Sequence, residues 1–280
     1  MALEIARVRK LVRPLLDEDI GRGDVTTQAV LPPDLRGRAR IEARSPGVLA
    51  GLDVARCCFE EVHGADFSWA PAARDGQTVV PGDVVVRLEA QLASILTAER
   101  TALNLLSKLS GVATATRDAV QAVDERPVRI ADTRKTTPGL RYFEKYAVVV
   151  GGGANHRAGL DDGVLIKDNH IAAAGGVAEA VKRARAGVSH GLRIEVEVTD
   201  LSELDEALAA GADAILLDNM AVGDVQVAVG RAGGKALLEA SGGINSSNVA
   251  EYAATGVDVI SLGAITHSAP HIDFALEVEK

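Results

Sequence analysis

Cysteine is nearly absent from this chain: only Cys57 and Cys58 occur in 280 residues. Adjacent cysteines rarely pair with each other and there is no third, so a disulfide framework is excluded. The surrounding LDVARCCFEEV has helical apolar spacing, which predicts two buried thiols on a core helix and no metal or redox role. Long hydrophobic runs are missing too. Stretches such as Ala147 to Val150 are far too short to span a bilayer. The N-terminal MALEIARVRKLVRPLL mixes charge with apolar residues, without the uninterrupted apolar core of a signal peptide, so the expected compartment is the cytoplasm. An excess of positive charge is also lacking. The net charge of −9 argues against a nucleic-acid binder.

What remains is an ordinary globular composition, 47% hydrophobic and 25% charged. The charge is unevenly spread. Between Arg134 and His170 stand six Lys or Arg and four acids, a net of +2, so the rest of the chain carries −11. A basic island in an acidic protein fits a small anionic ligand better than a polyanion.

Two textures follow each other along the chain. Residues 3–18 predict a helix, RGRARIEARS a half-buried strand and residues 52–62 a second helix. DGQTVVPGDVVVRLEA carries two turn signals and an alternating strand, as antiparallel sheets do. A helix is expected from about Leu92 to Leu109. After Gly111, short apolar strands alternate with Ala-rich helices: VRIA (128–131), VLIK (164–167), IEVEV (194–198), AILLD (214–218), ALLEA (236–240) and VDVISL (257–262). Repeated β-α units mean a parallel sheet, open or closed into a barrel. A further strand is expected near Gly152–His156. The closing HIDFALEVEK alternates again and is expected to return to the N-terminal sheet. The expected organisation is an α/β domain over 1–110, joined by 268–280, and a β/α domain over 111–267.

Polar residues gather at one point of this rhythm, at or just beyond the strand C-termini. Asp132, Thr133, Arg134 and Lys135 follow the first of these strands. Lys167 ends the second, and Asp168, Asn169 and His170 come next. Glu195 and Glu197 lie in the third, Asp218 ends the fourth, and Ser241-Gly242-Gly243 follows the fifth. Leu262-Gly263-Ala264 closes the sixth. One such residue is usually a helix cap or a surface ion pair. Six strands in succession point to an active site, which β/α barrels carry at this end. The two glycine turns fit phosphate cradles, since glycine lets backbone N–H groups approach an anion. Gly151-Gly152-Gly153 is ambiguous in the same way, since glycine often simply ends a strand. Asn155-His156-Arg157 adds donors, with His156 a candidate ligand beside Arg157. Glu197 and Asp218 suit a divalent cation, sugar hydroxyls or the orientation of the bases.

The strings AERTALNLLSKLSG, DTRKTTPGLRYFEKYAVVVGGGANHRAGLDDGVLIKDNH, IEVEV, GADAILLDN, LEASGGI and ISLGAITHS, with the early GRGDVTT, resemble the quinolinate phosphoribosyltransferase family nearly end to end. The resemblance implies an α/β sandwich domain followed by an incomplete, roughly seven-stranded β/α barrel. It implies transfer of phosphoribosyl from phosphoribosyl pyrophosphate to quinolinate with Mg²⁺, giving nicotinate mononucleotide, pyrophosphate and carbon dioxide in de novo NAD biosynthesis. The family's binding residues fall on Arg100, Thr133, Arg134, Lys135, Arg157, Lys167, Glu197 and Asp218, and on the turns Ser241–Gly243 and Leu262–Ala264. Lys135, Lys167, Glu197 and Asp218 are then the candidate catalytic groups, and Glu197 and Asp218 the candidate metal ligands beside substrate phosphates. The resemblance further implies a homodimer, or a hexamer of dimers, with Arg100 donated across the interface. Alternatives are a paralogous enzyme with another acceptor, a Schiff-base aldolase on Lys135 or Lys167, and a non-catalytic sensor of pyridines or phosphate.

Overall fold

The computed structural model describes residues 2–64, 67–123 and 126–279, which form two compact units. The first comprises residues up to Arg117, Pro138–Gly152 and Ala269 onward; the second comprises Asp118–Thr137 and Gly153–Ser268. No helix among the described residues is long and apolar enough to cross a membrane.

The first unit begins with α1 (Ile5–Ile20), which buries Val8, Val12 and Leu16, one residue per turn along one stripe. In α2 (Val25–Val30), Asp24 caps the N-terminus by accepting the Thr27 amide at 3.0 Å. Strand β1 (Arg36–Ala43) buries Ala39, Ile41 and Ala43, the alternation of a half-buried strand. Then come β2 (Gly47–Val48), α3 (Leu52–His63), β3 (Ser68–Pro71), β4 (Thr78–Val79) and β5 (Val84–Gln91). The final strand, numbered β12 (Phe274–Glu279) in chain order, pairs antiparallel with β1, setting Leu276 opposite Ile41. The sheet order is β12-β1-β5-β3, so the last stretch of chain does return to the N-terminal sheet. Cys57 and Cys58 are buried on α3, and burial pushes the Cys57 thiol up to about 11, too high for a reactive thiolate.

Helix α4 (Leu92–Ala122) is much longer than the spacing predicts. It continues through Gly111, where the sequence reads as a break. That glycine is needed for packing: a Cβ there would stand 2.1 Å from the carbonyl oxygen of Pro270. Gly151 has the same kind of role. It ends α5 (Arg141–Gly151), and a Cβ on it would meet the Ala113 carbonyl at 2.5 Å. Gly152 then caps the helix at φ 98°. This part of the triple glycine is thus a helix stop closely packed on its neighbour.

The second unit is built on six parallel strands in the order β6-β11-β10-β9-β8-β7. They are β6 (Arg129–Ala131), β7 (Val164–Ile166), β8 (Ile194–Val198), β9 (Ala214–Asp218), β10 (Leu237–Ser241) and β11 (Val259–Ser261). Between them lie α6 (Asp168–Ala174), α7 (Val177–Gly187), α8 (Leu201–Ala209), α9 (Val222–Ala232) and α10 (Val249–Ala253), with α11 (Ala264–His267) after the last strand. Ala154 adds a single parallel bridge to Ala131 on the far side of β6, with its amide 2.7 Å from the Ile130 carbonyl. This is the seventh stave, expected near Gly152–His156 and present only as a bridge. The architecture is the mixed α/β arrangement with an incomplete barrel. Its strands are buried on both faces, as parallel sheets require.

Candidate active site

The C-terminal ends of β6 to β11 bring the candidate residues of the second unit to one end of the sheet. In-register pairing does part of this: Ser241 lies opposite Asp218. Glu195 and Glu197 share one face of β8, two positions apart. Lys167 Nζ forms an ion pair with Glu197, the lysine 44% exposed and the acid 14%. That leaves the pair reachable by a ligand, and an anion would compete with Glu197 for the ammonium. His170 serves locally, its Nδ1 accepting the Lys167 amide at 3.0 Å as α6 begins.

The segment after β6 is shaped by its own hydroxyls. Thr133 Oγ1 accepts the Lys135 amide at 3.0 Å, and Thr266 donates to the Lys135 carbonyl at 2.8 Å. Lys135 itself is exposed. Gly263 sits close to both: a Cβ on it would lie 3.3 Å from Lys135 Cδ and 3.1 Å from His267 Nε2. The other turn is tighter. Gly242 takes φ 91° and Gly243 φ 63°, conformations that L side chains rarely adopt. Their amides, like that of Gly263, donate to no described residue and are available to an anion.

Arg157 is positioned by the backbone at Gly163. Its Nη1 donates to the Gly163 carbonyl at 2.9 Å, while its buried Nε has no partner among the described residues. Burial lowers its pKa from the usual arginine value, the neighbouring Arg134 lowers it further, and Glu195 opposes both. Two guanidinium groups close enough to feel each other invite a dianion.

His156, a candidate ligand, is held among groups of the second unit. Its backbone amide donates to Asp132 Oδ1 at 2.8 Å, and its Nδ1 accepts the Arg157 amide at 2.7 Å. Its Nε2 lies 3.0 Å from Glu195 and 3.6 Å from Glu239. Both ring nitrogens are thus engaged by the protein. Glu239 is a residue that sequence reasoning passed over. The available signal was an acid in the middle of LLEAS, an apolar strand, where an unpaired charge is costly. Burial above all, and then the charge of Glu195, push its pKa up to about 7; His156, Ser261 and Arg129 pull the other way.

Arg100 belongs to the first unit, on α4, with its side chain 64% exposed and Glu99 at 3.9 Å its one ion-pair partner among the described residues.

Residues 24–110 match the family model for the quinolinate phosphoribosyl transferase N-terminal domain, and residues 112–277 match the model for its C-terminal domain. The chain is 45% identical over 280 residues to the nicotinate-nucleotide pyrophosphorylase [carboxylating] of Mycobacterium leprae, covering 98% of each. It is 37% identical to a quinolinate phosphoribosyltransferase [decarboxylating] of Nicotiana tabacum, covering 97% of this chain and 82% of the other. Among solved structures, the nicotinate-nucleotide pyrophosphorylase of Francisella tularensis superposes with a TM-score of 0.94 at 42% identity, over 99% of this chain and 98% of that one.

Proposed function

The chain belongs to the quinolinate phosphoribosyltransferase family, and from that premise we propose how its residues divide the work. The enzyme transfers the phosphoribosyl group of phosphoribosyl pyrophosphate to quinolinate with decarboxylation, forming nicotinate mononucleotide in NAD biosynthesis. The observation that carries the assignment of roles is the gathering, at one end of a single parallel sheet, of Arg134, Lys135, Arg157 and Lys167 with Glu197, Asp218 and two glycine turns.

Quinolinate brings two carboxylates. Arg134 and Arg157 suit them as planar forks, and Lys167 as a point charge. The open amides at Gly242, Gly243 and Gly263, with Lys135 beside the last, suit the phosphates of the ribose donor. The pyridine nitrogen attacks the anomeric carbon while the bond to pyrophosphate breaks, and the leaving group takes the bonding electrons. Positive charge builds on the sugar in the transition state. Carboxylates facing it, Asp218 first, stabilise that charge. Ribosylation makes the ring nitrogen cationic. When the adjacent carboxylate leaves as carbon dioxide, its electron pair remains on the ring carbon beside this cation, and one proton then completes the product.

Mg²⁺ fits the donor set as a passenger of the substrate. Glu197 is engaged by Lys167, and among the described residues Asp218 accepts only from the Asn219 side-chain amide, at 2.8 Å. Neither belongs to a cluster of three ligands among the described residues. An ion here would take most of its oxygens from phosphates and water, as Mg²⁺ prefers, with Asp218 the nearest protein donor. It would neutralise charge on the leaving pyrophosphate. Arg100, exposed and held only loosely by Glu99, is the residue we assign to a partner subunit's quinolinate site in a homodimer. Product formation from quinolinate, phosphoribosyl pyrophosphate and Mg²⁺ tests the assignment.

A further inference from the structure

Arg157 stands in a stretch whose backbone is held by side chains. Three consecutive amides donate to them. That of His156 goes to Asp132 Oδ1 at 2.8 Å, that of Arg157 to His156 Nδ1 at 2.7 Å, and that of Ala158 to Asp162 Oδ2 at 2.7 Å. Both chain neighbours of Arg157 are thus tied to a carboxylate. Asp132 is buried at the end of β6, and Asp162 is exposed in the loop before β7. The roles assigned above use neither acid.

The loop closes on itself around Leu160. Ala158 is joined to Asp162 through that amide, and Arg157 to Gly163 through Nη1 and the carbonyl oxygen at 2.9 Å. Both pairs are centred on Leu160, which stands 76% exposed at the tip. A regular hairpin makes such rungs from backbone to backbone. Here one end of each rung is a side chain, and one of those side chains is the guanidinium assigned to quinolinate. The stem of Arg157 lies along Gly163, where an added Cβ would stand 3.6 Å from its Cβ and 3.8 Å from its Cδ.

Arg157 needs such holding. Burial and the charge of Arg134 both work against its own charge. A long side chain that a ligand must first immobilise loses entropy on binding, and a fork already aimed loses less. The tether at Gly163 is a neutral carbonyl, so the positive charge remains for a ligand carboxylate. An acid paired with the guanidinium would hold it as firmly and would compete with that ligand. The two aspartates avoid this by gripping the backbone on either side.

We propose that Asp132 and Asp162 are positioning residues for phosphoribosyl transfer: they bracket the backbone of Arg157, so that its fork is aimed at a carboxylate of quinolinate before the substrate arrives. The bracket acts on the acceptor and not on the ribose donor, because the phosphates are assigned to the glycine turns and Lys135. This inference rests on the enzymatic reading of the site.

The test compares wild type with Asp162→Ala, Asp162→Asn, Asp161→Ala and Asp132→Ala. Each is assayed for kcat and for KM of quinolinate and of phosphoribosyl pyrophosphate, and hydrogen exchange at the Ala158 amide is followed by NMR. Asp162→Ala removes the acceptor and should raise the quinolinate KM about fivefold or more, with kcat and the other KM within about twofold of wild type. Asp162→Asn keeps a side-chain oxygen for the Ala158 amide and should return the quinolinate KM to within about twofold. Asp161→Ala removes an adjacent exposed charge outside the bracket and should leave all three constants within about twofold. The Ala158 amide should exchange faster in Asp162→Ala and at the wild-type rate in Asp161→Ala. Asp132→Ala should move the quinolinate KM in the same direction; should it fail to fold, the exposed Asp162 decides. An unmoved quinolinate KM or Ala158 exchange rate in Asp162→Ala would overturn the proposal. So would equal effects on both KM values, the same rise in Asp161→Ala, or no rescue by asparagine. A wild type without turnover would overturn the enzymatic reading and the proposal with it, whereas an active wild type with any of the other results would overturn the proposal alone.

Discussion

Asn219 and Gly242 occupy almost the same space: a Cβ on Gly242 would stand 2.4 Å from Asn219 Oδ1 and 2.8 Å from its backbone nitrogen. Asn219 is itself the one non-glycine residue with positive φ among those described, at 54°. The ends of β9 and β10 are thus fitted to each other through a residue with no side chain. Gly242→Ala should cost about 2–4 kcal/mol, from the unfavourable φ and the clash together. Gly243→Ala, with φ 63° but open space around it, should cost only about 1 kcal/mol. Urea denaturation of the two variants checks the order. Gly242→Ala should also raise the KM for phosphoribosyl pyrophosphate, because it moves the amides assigned to phosphate.

Glu239 makes stability depend on pH. Its carboxyl rises from an ordinary 4.5 to about 7 in the folded chain. The folded state therefore holds the proton more tightly than the unfolded one. That stabilisation is complete below pH 4.5 and is lost as pH rises through about 7. Glu239→Gln has no proton to lose. Its stability relative to wild type should improve by on the order of 1–3 kcal/mol between pH 5 and pH 8.5. Denaturation at the two pH values measures this, and an unchanged difference would count against a neutral Glu239.

Much of this was legible in the sequence. The six parallel strands read as apolar runs, and polar residues follow their C-terminal ends along the sequence. The alternation of β12 announced its return to the first sheet. Other features were hidden for physical reasons. Gly111 reads as a break because its role depends on Pro270, far away in the chain. The stave at Ala154 is one bridge long, too short for any periodicity. The approach of Glu195 and Glu239 to His156 was hidden because they lie on two other strands.

Asp218→Ala should abolish phosphoribosyl transfer while leaving quinolinate binding within about threefold, if the acid serves the sugar or its metal as proposed. Calorimetric titration of quinolinate into the variant is the check. Loss of the binding signal in a folded variant would place Asp218 in the acceptor's pocket.

Arg100→Ala and Lys135→Ala should each be nearly inactive as pure proteins. If Arg100 acts in a partner's site, a heterodimer of the two variants has one doubly damaged site and one intact site. Random 1:1 mixing makes about half the dimers mixed, so about a quarter of wild-type activity should return. Co-expression of the two variants measures it. Heterodimers without recovered activity would place Arg100 outside the partner's site.

The most direct test of the account is the reaction itself, run side by side with two acceptors. The protein is incubated with phosphoribosyl pyrophosphate and Mg²⁺, and with either quinolinate or nicotinate, and nicotinate mononucleotide is quantified. The account predicts equal amounts of nucleotide, pyrophosphate and carbon dioxide from quinolinate. Nicotinate should react tens to thousands of times more slowly, because cationic groups left without their carboxylate cost roughly 2–5 kcal/mol. No nucleotide from quinolinate, or comparable rates with the two acids, would contradict it.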